Sequence, residues 1–195
     1  MKTGQHDERN EQRPRRVSTS SVHAEKTAHR EFGVEQLWQK HDVSNMFLTE
    51  LTIAMQDFIT ALPFFFIATA NDIGECDCSY RGRETVDDLI SPLLHITSPG
   101  CIVFPDFSGN NVYNSLGNIL TNGQIGILFI DFEHQLRLRV NGRASIIQER
   151  EAYADMWPTA LRYIKVDITQ VFGNCRRRIP RMYIATKATK GVGDK

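Results

Sequence analysis

The stretch IGILFIDFEHQLRLRVNGRASII, residues 125–147, most constrains the fold. Its first eight residues are almost all apolar, the pattern of a strand covered on both faces. After a tight connection at Glu133, His134 and Gln135 the chain alternates, with Leu136, Leu138 and Val140 on one face and Arg137, Arg139 and Asn141 on the other. Gly142 then predicts a bend or a bulge. So long a period-two pattern requires a sheet, and IGILFIDF is placed near its middle.

The rest of the chain supplies partners for that sheet. Leu48, Leu51, Met55, Phe58, Ile59 and Leu62 recur at three- and four-residue steps, which predicts an amphipathic helix with Thr49 as N-cap, Glu50 in its first turn and Pro63 ending it. FFFIATA at 64–70, the turn-like Asn71-Asp72-Ile73-Gly74 and ECDCSYRG then read as a hairpin. In its second strand Cys76, Cys78 and Tyr80 share a face expected to pack, while Glu75, Asp77, Ser79 and Arg81 share one expected to meet something polar. Residues 83–99, with Pro92 and Pro99, are expected to cross the surface loosely before CIVF at 101–104 begins another strand. A short helix at 149–157, stopped by Pro158, precedes a last strand at 161–172. The fold class is therefore mainly β with flanking helices. A small antiparallel barrel is expected, because closure removes exposed strand edges.

A chain of 195 residues predicts one domain with short appendages. We expect a mobile polar tail over 1–31, a folded domain over 32–185 and a C-terminal tail over 186–195. The first stretch is nearly devoid of large apolar residues, and its RPRR at 13–16 reads as a solvated cluster. Lys plus Arg and Asp plus Glu are both 23, so no global charge draws the chain to nucleic acid or to an anionic membrane. No run approaches the roughly 20 apolar residues of a membrane span. Cys76, Cys78, Cys101 and Cys175 contain no CxxC pair and no partnering His cluster, which fits reduced thiols and no metal site. These readings together predict a cytoplasmic protein.

PDFSGNNVYNSLGNI at 105–119 looks at first like a loop rich in small polar groups, yet Tyr113, Leu116 and Ile119 recur at helical spacing. A helix starting near Asn111 or Val112 would turn free N–H groups toward whatever precedes it, and its dipole favours an anion there.

Three segments in order, GECDCSYRG, VFPDFSGNNVYNSLGNI and IGILFIDFEHQLRLRVNGRA, resemble the successive signatures of the pyridoxamine 5'-phosphate oxidase-like family of FMN-binding split β-barrel proteins. The resemblance extends from about Leu48 to Arg181, since NCRRRIPRM at 174–182 is similar to a C-terminal segment of one branch. It implies an antiparallel split β-barrel, a homodimer and FMN in clefts between the subunits.

On that resemblance the anion is the flavin phosphate, with Asn110, Asn111, Asn114 and Ser115 as side-chain donors and Gly109 giving close backbone access. Ser79, Tyr80, Arg81 and Gly82 correspond to the strand bordering the flavin, and Arg81 is the leading phosphate partner. Phe104 and Pro105 correspond to the strand end passing the ring. Arg137 matches the residue reaching the ring's polar edge, whereas Arg139 reads as a structural arginine. Arg177 or Arg178, in the run Arg176 to Arg181, would close over the cleft. The purely structural alternatives are that Asn111 only caps a surface helix and that Arg81 is a solvated strand arginine. The vitamin B6 oxidase itself carries basic residues where this chain has Ser79, Glu84 and Gly109-Asn110-Asn111, which argues against oxidation of pyridoxamine phosphate and leaves Arg81, Arg83 and the helix terminus to compensate.

No nucleophile triad stands out, and His95 reads as a loop histidine, so any chemistry would belong to the flavin. The resemblance implies an FMN-dependent oxidoreductase acting on a small-molecule substrate with a reduced nicotinamide as electron source. The alternative is a non-catalytic flavin or haem binder in storage, sensing or stress protection. A basic-tailed nucleic-acid binder is disfavoured by the neutral charge.

Overall fold

The computed structural model describes Arg16 and residues 23–39 and 43–184. The C-terminal tail at 186–195 and most of the N-terminal tail, including Arg13 to Arg15, lie outside the described residues. Within the stretch expected to be a mobile tail, His23–Glu31 forms a helix, α1, none of whose residues is buried. Arg16 bridges Leu48, and its guanidinium donates to the Asn45 side chain. A short helix, α2 (Glu35–Gln39), leads toward the barrel.

Helix α3 spans Ile53–Ala61 and begins later than expected. Its N-cap is Thr52 rather than Thr49: the Thr52 backbone is extended and its Oγ1 accepts the Met55 N–H at 3.3 Å. The helix ends at Leu62, before Pro63. Strands β1 (Phe64–Ala70) and β2 (Cys76–Gly82) form the expected hairpin. Its turn is closed by Asn71, whose Oδ1 accepts the N–H groups of Ile73 and Glu75.

Residues 83–99 are more regular than expected. They hold a two-residue ladder of β3 (Thr85–Val86) with β4 (Leu89–Ile90), then β5 (His95–Ser98). The remaining elements are β6 (Cys101–Asp106), α4 (Asn114–Thr121), β7 (Gln124–Asp131), β8 (Leu136–Ile147) and β9 (Arg162–Gly173), with a 3-10 turn at Arg150–Tyr153.

Seven strands form one antiparallel sheet in the order β2-β1-β7-β8-β9-β6-β5. The sheet curls until its ends approach, which brings Phe65 on β1 and Phe104 on β6 to a ring separation of 5.1 Å although four other pairings separate their strands. Inside the curl lie Phe65, Ile67, Ile102, Phe104, Phe129 and Val140, all 2% exposed or less. Each such side chain contributes roughly 1.5–3 kcal/mol by leaving water. This is the split barrel that the resemblance implied. Strand β7 is not covered equally on both faces, however: its inward residues are buried and Leu128 and Ile130 are half-exposed.

Gly142 marks the expected bulge, where the β8–β9 register shifts between Asn141 and Gly142. A side-chain carbon on Gly142 would stand 2.4 Å from the Asp167 carbonyl oxygen.

The split lies between β2 and β6. Strand β5 pairs with β6 only at Cys101, Ile102 and Val103, so Phe104, Pro105 and Asp106 form an edge. Pro105 is tolerated inside a strand because its missing N–H lies where β6 has no partner on that side. Across the opening, Arg81 of β2 reaches Asp106 with Nη1 3.2 Å from Oδ1. The seam of the barrel is therefore closed by side chains where backbone pairing stops.

Candidate functional site

The cavity at this seam, about 260 Å³, is lined by β2 through Asp77, Ser79 and Arg81, by Asp106, by the 107–113 loop and by the first turn of α4. Period two places Asp77, Ser79 and Arg81 on one side of β2. A smaller space of about 190 Å³ adjoins it and is walled by Tyr80, Arg81, Gly82, Phe104 and Pro105. Of the residues expected at the site, Ser79, Tyr80, Arg81, Asn110, Asn111, Asn114 and Ser115 thus line the first cavity, and Gly82, Phe104 and Pro105 the second.

The face assignment of β2 is reversed in part. Cys76, Cys78 and Tyr80, expected to pack, are exposed, with Tyr80 at 59%. Alternation identifies the two faces of a strand but not which one the rest of the fold covers, and β2 is a terminal strand of the sheet. Arg137 and Arg139 are on the outer face of β8 and line neither cavity. The Arg139 guanidinium lies over the Phe172 ring at 5.5 Å, whereas the buried Nε of Arg137 has no hydrogen-bond partner. Arg177 and Arg178 are exposed and away from both cavities. Arg83 serves α3 instead: Nη2 donates to the Thr60 carbonyl at 2.6 Å and Nε to that of Leu62 at 3.1 Å, satisfying carbonyls left over at the helix end. His95 is half-buried in β5, with its ring 6.0 Å from that of Tyr153.

Helix α4 starts at Asn114, two or three residues later than expected. Its N-cap, Tyr113, has a left-handed backbone (φ 61°), as does Asn111 (φ 59°), and no side chain caps the helix. Left-handed tyrosine is uncommon, and conformations of this kind cost on the order of 1–3 kcal/mol. The loop holds itself together: Asn110 Oδ1 accepts the Val112 N–H at 3.1 Å, and the Tyr113 hydroxyl donates to Asn111 Oδ1 at 2.9 Å. The consequence is an uncapped helix start facing the cavity, with its free N–H groups and positive dipole end.

Asp77, placed from the sequence only on the polar face of β2, and Asp106 and Arg162, not singled out there, complete the electrostatics. Ser115 Oγ donates to Asp77 at 2.8 Å and lies 3.1 Å from Ser79 Oγ, tying α4 to β2. Asp106, only 6% exposed, is shared by Arg81 and by Arg162, whose Nη1 is 3.4 Å from Oδ2. Burial pushes the Asp106 carboxyl above its ordinary 3.8, more strongly than the two arginines pull it down. Relative to the unfolded chain, folding thus favours the protonated form of Asp106, and the associated stability is full below the ordinary value and lost as pH rises through the raised one. Asp106→Asn, neutral throughout, is expected to be at least as stable as the wild type at pH 7 and to lack that decline. Thermal melts from pH 4 to 8 check this, and a large loss of stability at pH 7 would refute it.

The donor set fits a phosphate group. The Arg81 Nε has no hydrogen-bond partner, the α4 start is uncapped, and hydroxyl and amide side chains line the same cavity as Arg81 and that helix start. Two carboxylates line the same space, but Asp77 is already bonded by Ser115 and Asp106 by the arginines. Among the described residues no helix is long and apolar enough to cross a membrane.

The sequence profile of the pyridoxamine 5'-phosphate oxidase family matches residues 51–186, more than half of the chain, and the chain belongs to that family. Among solved structures it is similar to a single-residue variant of HupZ from Group A Streptococcus, with 18% identity and a TM-score of 0.50 over 64% of this chain and 99% of that one. A Lactobacillus delbrueckii protein provisionally named pyridoxamine 5'-phosphate oxidase aligns with 14% identity and a TM-score of 0.50, covering 64% of this chain and 94% of its own. An FMN-binding protein from Syntrophomonas wolfei aligns with 11% identity and a TM-score of 0.44, over 78% and 96% of the two chains. No curated protein matches the chain by sequence.

Proposed function

We propose that this protein binds FMN between two copies of itself and acts as an oxidoreductase, passing electrons from a reduced nicotinamide to a small acceptor. The observation that carries the reading is the convergence of the uncapped α4 start and the Arg81 side chain on one cavity. The flavin phosphate would take those donors together with Ser79, Ser115, Asn110 and Asn114. Phe104, Pro105 and Tyr80 would wall the space toward the ring. Bound FMN supplies hydride and single-electron chemistry. The chain's own part is to hold the phosphate, orient the ring and keep water from one side of it.

The homodimer is supported by the outer face of the sheet. Phe64, Phe66, Leu128 and Ile130 are half-exposed on neighbouring strands, with exposed Tyr80 beside them. An apolar sheet face of this kind marks an interaction surface. A partner covering it would bring a second wall to the cleft and place Arg137 beside it.

The test is the visible absorption and fluorescence of the purified full chain, with any released chromophore identified by mass and particle size measured in the same run. Flavin bands, FMN on release and a dimer are expected, followed by repeated bleaching with reduced nicotinamide and recovery with an acceptor. A colourless protein that refuses added FMN overturns the cofactor assignment. Bound flavin that no nicotinamide reduces overturns the oxidoreductase assignment and favours a non-catalytic binder.

A further inference from the structure

Behind the N-cap of α4 lies a second, larger space that the flavin reading does not use. It is an open cleft of about 490 Å³ that shares only its Tyr113 and Leu116 walls with the phosphate cradle. Leu116, Leu120, Ile146 and Leu161 make most of it apolar, and its polar groups are Gln148, Arg162 and the Tyr113 ring.

Two observations give the cleft an occupant. The first is charge. Arg162 and Arg81 share the single carboxylate of Asp106, so the three groups together keep one positive charge that no acid among them balances. Arg162 also lies 5.3 Å over the Tyr113 ring, which fixes its guanidinium at one end of the cleft. The second is Gly117. It sits inside the eight-residue helix α4, where glycine is, after proline, the residue least favoured. Its backbone is not left-handed, and a side-chain carbon built there would meet nothing within 4 Å. Helix geometry therefore does not require glycine at this position, and the space in front of it is open.

We propose that this cleft binds a small carboxylic acid with an apolar body, its carboxylate on Arg162 and its tail along Gly117, Leu120 and Ile146. The volume falls within the range of small-molecule sites. A guanidinium fork matches a carboxylate in geometry as well as charge. The assignment stands apart from the flavin reading, because it needs neither the α4 start nor the Arg81 Nε.

The experiment is calorimetric titration of the full chain with octanoate and with 1-octanol as a neutral counterpart. Octanoate is expected to bind once per chain and at least tenfold more tightly than octanol. Arg162→Gln should reduce that preference to near unity. Gly117→Phe, which leaves Arg162 and Asp106 untouched and fills the cleft, should abolish octanoate binding with the melting temperature preserved, and it remains decisive if the arginine variant does not fold. Equal binding of octanol by the wild type, unchanged octanoate binding by Gly117→Phe, or displacement of octanoate by FMN each overturns the proposal. A Gly117→Phe variant whose particle size falls, in a chain that binds no octanoate, assigns the cleft to a second copy instead.

Discussion

Gly142→Ala is expected to lower the melting temperature by roughly 6–12 °C, taking a cost of about 3 kcal/mol and a shift of about 2–4 °C per kcal/mol for a chain of this size. The new methyl would stand 2.4 Å from the Asp167 carbonyl oxygen and 2.9 Å from a Val166 methyl. The first obstacle is backbone, held in the β8–β9 ladder by the Gly142–Ile168 and Arg143–Asp167 pairings, so it cannot swing aside as a side chain does. Gly173→Ala is the matched control, because its methyl meets only the Arg137 carbonyl at an ordinary 3.9 Å. Differential scanning calorimetry of the two variants separates a bulge that needs glycine from a general intolerance of side chains in these strands. Equal, small effects would refute the geometric reading.

Arg81→Ala is expected to weaken FMN binding by roughly 30- to 150-fold, the equivalent of about 2–3 kcal/mol for one charge-assisted contact to a phosphate. The residue bears on the site twice. Its buried Nε has no partner within the protein, and its Nη1 holds Asp106 across the seam. Arg81→Lys should recover only part of the affinity, because an ammonium replaces the charge but not the fork. Riboflavin, which lacks the phosphate, should bind both variants nearly as well as the wild type. Fluorescence titration with the two flavins reads the difference. An equal loss for FMN and riboflavin would mean that Arg81 shapes the cavity without gripping the phosphate.

What the sequence made legible follows the reach of its periodicities. The apolar run before Glu133, the alternation after it and the bend at Gly142 are short-range patterns, and they give β7, β8 and the bulge directly. Faces are harder. The alternation in CDCSYRG separates the cysteines from Asp77 and Ser79 correctly, but only the sheet order, with β2 at its end, shows that the cysteine side is left open. Helix starts shifted for a related reason: Thr49 and Thr52 are both acceptable caps in isolation, and the geometry around Met55 selects the second. The charges that govern the cradle were the least accessible. Asp106 and Arg162 are 56 positions apart and Arg81 is 25 positions before Asp106, so no local pattern links them. The one available signal was an acid ending the otherwise apolar CIVFPD, a residue that burial obliges to find a partner.

The seam between β2 and β6 also sets how the molecule opens. Strand β8 is laddered to β7 from Leu136 to Arg143 and to β9 from Leu138 to Ile147, so the amides of the stretch held on both sides are expected to exchange with solvent only when the whole domain unfolds. Strand β2 is laddered to β1 alone, and on its other side it is joined to the barrel by Arg81 and by the Asp77–Ser115 contact. A strand protected on one side only thus lines the cradle, and a ligand spanning from β2 to α4 would slow amide exchange there without altering the exchange of β8.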